Sequence, residues 1–250
     1  HRNLYAPYTH QYANGCMRMD VFPMVAFYYL YDNDIMQWPT INEKLSLKLE
    51  ALADCNGWAS GRAHHAMNDV DATIALARHL YTKNKKMWDY LQGFFHKQID
   101  QHRTAKLDDI IVHEQKHKLG LLVDAKMGVV NNFCAPFVML GGNKMYKNVN
   151  FWLRLDKPLP EDVSLQSLMS KGYILQKKYA EPGFILPYQE RFIHKLSPER
   201  VANTKENISY IQNNIKMWAA LIEALYLWEH DKTEKVDTDA ILYNMGFRSH

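Results

Sequence analysis

At 250 residues, with 47% hydrophobic and 23% charged residues, the chain has ordinary globular composition and is long enough for one large or two small domains, of which two are expected. Its longest apolar stretch, residues 21–31, holds Pro23 and ends at Asp32, short of the ~18 apolar residues a membrane-crossing helix needs, so a soluble protein with no membrane partner is expected. A net charge of +3 is only permissive for nucleic acid, which needs local basic clustering, and the three cysteines, Cys16, Cys55 and Cys134, lack CxxC spacing, which fits a reducing cytoplasm better than a disulfide framework or a thiolate zinc site.

The chain opens on His1 with no basic segment leading into an apolar signal stretch, so a cut or processed start is expected. From Asp20 to Tyr31 the residues are apolar almost throughout, which suits a buried helix better than a central strand. Turn residues follow around Trp38, Pro39 and Asn42. Leu45, Leu49 and Leu52 then recur at helical spacing, predicting a short amphipathic helix that stops near Asn56 with Gly57 as its cap. A further helix should begin near His64 and His65, with Val70, Thr73, Ile74, Ala77 and Tyr81 on one face.

Residues 82–107 are rich in Lys, His and Gln with interspersed aromatics, and read as a helix or connector leaving a first domain, with a boundary near residue 85. Beyond it, Val149, Phe151, Leu153 and Leu155 alternate with Asn150, Trp152 and Arg154, the period of a half-buried strand. Gly141-Gly142 and Pro158 to Pro160 punctuate neighbouring short strands. A final long helix is predicted from Ile208, Ile211, Ile215, Trp218, Ile222 and Leu225, which step by three and four.

Three constellations carry candidate chemistry. In the first, His64 approaches a helix and Asp69 falls five residues later in its first turn. Phosphodiester hydrolysis needs a base to deprotonate water and carboxylates to hold two Mg²⁺ ions about 3.5–4 Å apart, roles open to these two residues. The spacing is equally that of an aspartate complementing a helix dipole beside a loop histidine. In the second, His113-Glu114-Gln115-Lys116-His117 matches the H-E-x-x-H of zinc peptidases, but the longer pattern fails at Val123, and residues 121–130 read as a strand rather than a continuing zinc-binding helix. A solvated polar segment is the plainer reading. In the third, Tyr5, Tyr8 and Tyr12 with His10 and Arg2 could stack on unpaired bases, although aromatics at this density also build cores. Lys48, on the polar side of its helix, could touch a phosphate or simply be solvated.

The surroundings of the first constellation are informative. Leu47-Lys48-Leu49-Glu50-Ala51-Leu52 leads through Asn56-Gly57 into AHHAMNDVDATIALARHL and then Met87-Trp88-Asp89-Tyr90-Leu91. This resembles the third exonuclease motif of the bacterial exodeoxyribonuclease I family, in which a leucine-rich S-x-R-L-E helix runs through N-G into A-H-D-A-x-x-D-V-x-A-T. Arg2-Asn3-Leu4-Tyr5 through Pro7-Tyr8, Met19-Asp20-Val21 and Trp38-Pro39 are similar to that family in the same order. Ala135-Pro136-Phe137, the strand from Val149, Ile185-Leu186-Pro187 and the residues from Asp239 to Phe247 resemble it more loosely.

The resemblance implies an α/β fold: the C-terminal part of an RNase H-like exonuclease domain (1–84), an SH3-like α+β domain (86–232) and the start of a helical domain (236–250). It implies a DEDDh 3′→5′ exonuclease that hydrolyses single-stranded DNA to 5′-mononucleotides with two Mg²⁺ ions, acting in DNA repair and recombination. Expected partners are single-stranded DNA and a single-strand-binding protein, and a monomer is expected. His64 would be the general base and Asp69 a metal ligand; Lys48, Tyr8, Tyr12 and Phe133 would contact DNA. Three departures accompany this. The family's D-x-E motif and second metal-binding aspartate would lie upstream of Arg2, His65 replaces an aspartate, and Lys48 replaces an arginine, keeping charge but losing the planar fork. The chain alone is therefore expected to be inactive, and a catalytically incomplete DNA-binding piece is the second reading.

Overall fold

The computed structural model describes residues 17–58 and 66–229. Among the described residues up to Ala105, the regular elements are helices apart from one short ribbon. Helix α1 (Val21–Tyr31) forms as expected: Asp20 caps it by accepting from the Phe22 N–H at 2.9 Å, and Pro23 sits in the first turn, where no intrahelical partner is lost. It is apolar almost all round because it is buried over most of its surface, Phe22 being its exposed member. The turn-rich stretch forms a ribbon, β1 (Thr40–Ile41) and β2 (Lys44–Leu45), whose Asn42 and Glu43 both have positive φ, as a tight hairpin requires.

Helix α2 (Leu49–Cys55) starts later than its leucine spacing suggested, since Leu45 is taken by β2; Gly57, at φ +72°, follows its end in the left-handed region. Helix α3 (Ala66–Lys83) corrects the predicted burial. Ala72, Leu76 and Leu80 face the core, while Val70, Ile74 and Tyr81 of the expected core face are 49%, 48% and 42% exposed. The helix carries two apolar stripes, and periodicity alone selected the one the fold leaves open.

Helices α4 (Lys85–Gln92) and α5 (Lys97–Ala105) follow. Asn84 breaks α3 from α4, capping α4 through the Met87 N–H at 3.0 Å and donating to Asp32 at 2.7 Å. The Arg103 guanidinium lies 4.3 and 4.5 Å from the ring centres of Tyr90 and Phe94 and locks α5 onto α4.

The second half is an antiparallel sheet of six strands: β3 (Asp108–Val112), β4 (Gln115–Val123), β5 (Cys134–Gly142), β6 (Val149–Arg154) and β7 (Ile174–Lys178) in that order, with β8 (Phe184–Pro187) also paired to β4. The described helices and this sheet together give the α/β character; no parallel strand pair occurs among the described residues. The close β4–β8 approach explains Gly120, where a Cβ would meet Ile185 at 2.4 Å. Strand β6 was expected to be half-buried. Every residue of it is buried, because the other face is covered too, with Trp152 packing beside Phe137 and Ile185.

Short helices α6 (Leu165–Ser170) and α7 (Glu190–Ile193) precede two longer ones. The predicted long C-terminal helix is in fact α8 (Pro198–Asn213) and α9 (Ile215–Leu227), broken at Asn214 (φ −116°, ψ 54°). Asparagine favours such breaks because its side chain competes with the helical ladder. The break leaves Ile215 exposed while Ile211, Trp218, Leu221 and Leu225 bury together against the sheet.

Packing does not divide near residue 85. One core runs from α1, α3 and α4 into Leu121, Val123, Phe184 and Leu186 of the sheet, and Phe184 sits 6.1, 5.0 and 5.8 Å from the rings of Phe27, Phe94 and Phe95. A buried ionic cluster ties α8 to the sheet: Asp156 accepts from Arg154 Nε at 2.5 Å and Arg200 Nε at 2.6 Å. Burial would raise the Asp156 carboxyl, but its hydrogen bonds to and the charges of the two arginines hold it below the usual carboxylate range.

Candidate functional site

Two of the expected site residues fall on adjoining helices. Asp69 lies in the first turn of α3, where a carboxylate complements the helix dipole, and its side chain is exposed. Its carbonyl accepts the Thr73 hydroxyl at 2.7 Å. Lys48 is the N-cap residue of α2, with extended backbone and an exposed side chain that makes no capping hydrogen bond. Helices α2 and α3 pack together, and a cavity of about 410 Å³ opens between them and α1. Leu49, Leu52, Thr73 and Leu76 line it, with Arg18 and Asp20 as its charged members. The cavity therefore combines an apolar floor with the charges of Arg18 and Asp20; Lys48 and Asp69 are not among its lining residues but neighbour them along the chain, Lys48 between Leu47 and Leu49 and Asp69 one turn before Thr73. His64, Tyr8 and Tyr12 lie outside the described residues.

Phe133, expected to contact DNA, packs inward in this fold. It is 3% exposed, its φ is +53°, and its ring meets that of Tyr29 edge-on at 5.8 Å. Tyr29 in turn packs on Trp38 at 5.1 Å. As folded, Phe133 offers no free ring face to a nucleotide. No spacing rule could have foretold this, because the three rings come from separate segments.

The H-E-x-x-H segment is not on a helix. His113 and Glu114, with φ of +47° and +68°, are the turn of the β3–β4 hairpin, and β4 runs from Gln115 to Val123, earlier than the strand expected at 121–130. In a hairpin, the two histidines do not share the face that zinc binding on a helix provides. His117 is also not solvated: it is 8% exposed, and both ring nitrogens have hydrogen-bond partners within the protein. Among the described residues, no group of three or more His, Cys, Asp or Glu is placed to hold a metal ion. Asp69 thus supplies one exposed carboxylate, not a complete site.

A second cavity, about 720 Å³, was invisible to sequence reasoning because distant segments build it. Phe27, Tyr31 and Phe192 form apolar walls, and Lys86, Arg191 and Lys195 add positive charge. Among the described residues, no helix is long and apolar enough to cross a membrane.

No protein-family model matches the sequence. A stretch of 125 residues, 50% of the chain, is 31% identical to exodeoxyribonuclease I of Escherichia coli K12 and covers 22% of that protein. Across 263 aligned residues, 100% of the chain, it is 24% identical to exodeoxyribonuclease I of Buchnera aphidicola subsp. Schizaphis graminum, covering 53% of it. The fold matches E. coli exonuclease I in complex with a dA16 oligonucleotide at a TM-score of 0.79 and 21% identity, over 99% of this chain and 55% of that one. An apo exonuclease I matches at 0.72 and 22% identity, over 99% and 52%. The chain spans about half the length of the relatives it matches end to end. By sequence the chain is similar to exodeoxyribonuclease I proteins, and its fold is that of the solved exonuclease I structures.

Proposed function

We propose that this chain is part of a 3′→5′ exonuclease that hydrolyses single-stranded DNA to 5′-mononucleotides. The observation that carries the reading is the fold match along 99% of the chain to an exonuclease I bound to an oligonucleotide, with Asp69 exposed at the start of α3. Residues 1–84 would then be the C-terminal part of an RNase H-like exonuclease domain, 86–232 an SH3-like domain, and 236–250 the start of a helical domain. Asp69 would contribute one ligand to a divalent-metal site, Mg²⁺ being the proposed ion, with the remaining carboxylates outside the described residues. When bound, a pair of such ions supplies charge stabilisation for the attacking and leaving oxygens.

His64 would accept the proton of the attacking water, and Lys48 would hold a backbone phosphate by charge. Tyr8, Tyr12 and Phe133 are proposed near the strand, Phe133 through its packing on Tyr29 rather than by stacking. The role would be DNA repair and recombination, in the cytoplasm, as a monomer with a single-strand-binding protein as partner. One solved homologue is an SSB/exonuclease I structure, which supports that last choice.

The deciding experiment is Mg²⁺-dependent release of mononucleotides from a 3′-labelled single-stranded oligomer. Activity is expected only from a chain extended upstream to include a D-x-E motif, and His64→Ala in that protein should lower turnover far more than DNA affinity. Equal losses would sink the base assignment. A specific observation favours a second reading for the 250 residues alone, a DNA-binding piece without catalysis: among the described residues, no group of three or more His, Cys, Asp or Glu is placed to hold a metal ion, Asp69 included. Binding without hydrolysis in both versions would select it.

A further inference from the structure

His117 and Trp218 meet in the core between the sheet and α9. Two contacts fix the imidazole tautomer. The Met139 carbonyl, 3.1 Å from Nδ1, can only accept, so Nδ1 carries the hydrogen. The Trp218 indole N–H, 3.2 Å from Nε2, can only donate, so Nε2 must be the bare acceptor. The rings pack edge to face at 5.1 Å, and His117 and Trp218 are 8% and 3% exposed. A proton on Nε2 would set two donors against each other at a buried site.

The contacts of α9 make this bond matter. At its C-terminal end Asn143 donates to the Leu225 and Trp228 carbonyls at 3.0 and 2.7 Å, and the Lys144 N–H donates to Tyr226. Nearer its start, the other side-chain hydrogen bond to the sheet comes from the preceding helix, Gln212 to the Ile111 carbonyl. We propose that the His117–Trp218 hydrogen bond is an acid-sensitive latch: protonation of His117 removes the acceptor, and the first half of α9 leaves the sheet while Asn143 holds its far end.

Among the described residues, no counter-charge is positioned to rescue the protonated ring. On β4 itself, Lys116 and Lys118 are on the opposite face, paired with Asp109 at 3.9 and 2.8 Å. On β3 the residue opposite is Ile110, flanked by Asp109, and β5 presents only the Met139 carbonyl. Lys216 and Glu223 of α9 and Lys205 and Glu206 of α8 are exposed. Burial accordingly pushes the imidazole below its ordinary range, only partly offset by the Met139 hydrogen bond. With the folded-state value depressed, the unfolded or undocked state binds the extra proton, so docking is complete above the ordinary histidine range and weakens as pH falls below it.

The test is amide hydrogen exchange on the 250-residue chain at pH 8 and pH 5.5, corrected for intrinsic rates, with α1 as internal reference. The first half of α9 should lose protection roughly tenfold or more at the lower pH while α1 keeps its own. His117→Gln, whose amide can still accept from Trp218 but does not titrate, should show equal protection at both values. Unchanged protection in the wild type, or the same loss in His117→Gln, overturns the latch. Should the variant not fold, an NMR titration of the wild-type imidazole decides. Protonation and loss of protection must share a midpoint, and either one without the other rejects the proposal.

Discussion

The two halves of the chain solve the same problem differently. In residues 108–229 the sheet is covered on both faces, its one aspartate at the centre of the fold is matched to two arginines, and even the tryptophan of the central strand is buried. Among the described residues up to Ala105 the core is equally well packed, but α3 leaves Met67, Val70, Ile74 and Tyr81 exposed on the helix that carries Asp69. The exposed stripe of α3 is an apolar face beyond the one it packs on α1, α2 and α4. The candidate chemistry lies on the open half, the finished packing on the other.

Disturbing the finished half should cost most. Asp156→Asn leaves two buried arginines without their counter-charge and should lower the unfolding free energy by about 3–5 kcal/mol in urea titration. Because the Asp156 carboxyl is held below its usual range, its contribution is complete at neutral pH and is lost as pH drops beneath the ordinary carboxylate range. That acid-dependent part should vanish in the variant. Phe184→Ala removes the ring on which both halves meet and should cost about 3–5 kcal/mol in a single unfolding transition. Two separated transitions would show that the halves are independent and break the comparison.

Within α3 the contrast becomes a paired experiment. Leu76→Ala on the buried stripe should cost about 2–5 kcal/mol, against a change within about 0.5 kcal/mol for Ile74→Ser on the open one. In a chain extended upstream, Ile74→Ser should become clearly destabilising; if it stays neutral, the open stripe is not an internal interface. The smallest structural effect belongs to Asp69→Asn, which should cost about 0.3–1 kcal/mol through the helix dipole yet abolish Mg²⁺-dependent hydrolysis in the extended protein.

Much of this was readable beforehand where local rules and burial agree. Helix α1 was legible because a fully apolar segment with an aspartate cap has few other options, and the ordered motif from Leu47 to Leu91 marked the face that carries Lys48 and Asp69. Periodicity was less reliable where a neighbour decides. It selected the open stripe of α3 and rated β6 half-buried, because neither choice is encoded in the residues doing the packing, and it merged α8 and α9 by passing over the local break at Asn214.

By itself the sequence determined which elements form and which polar residues stand at their ends, since caps, turns and apolar runs act within a few residues of the chain. Only the tertiary structure decided that His117 belongs to a core and not to a metal, that Phe133 is covered by Tyr29, and that one half is closed while the other is open. Burial is a property of what arrives from elsewhere in the chain, and the energy of a buried charge or ring depends on that partner more than on the residue's own identity.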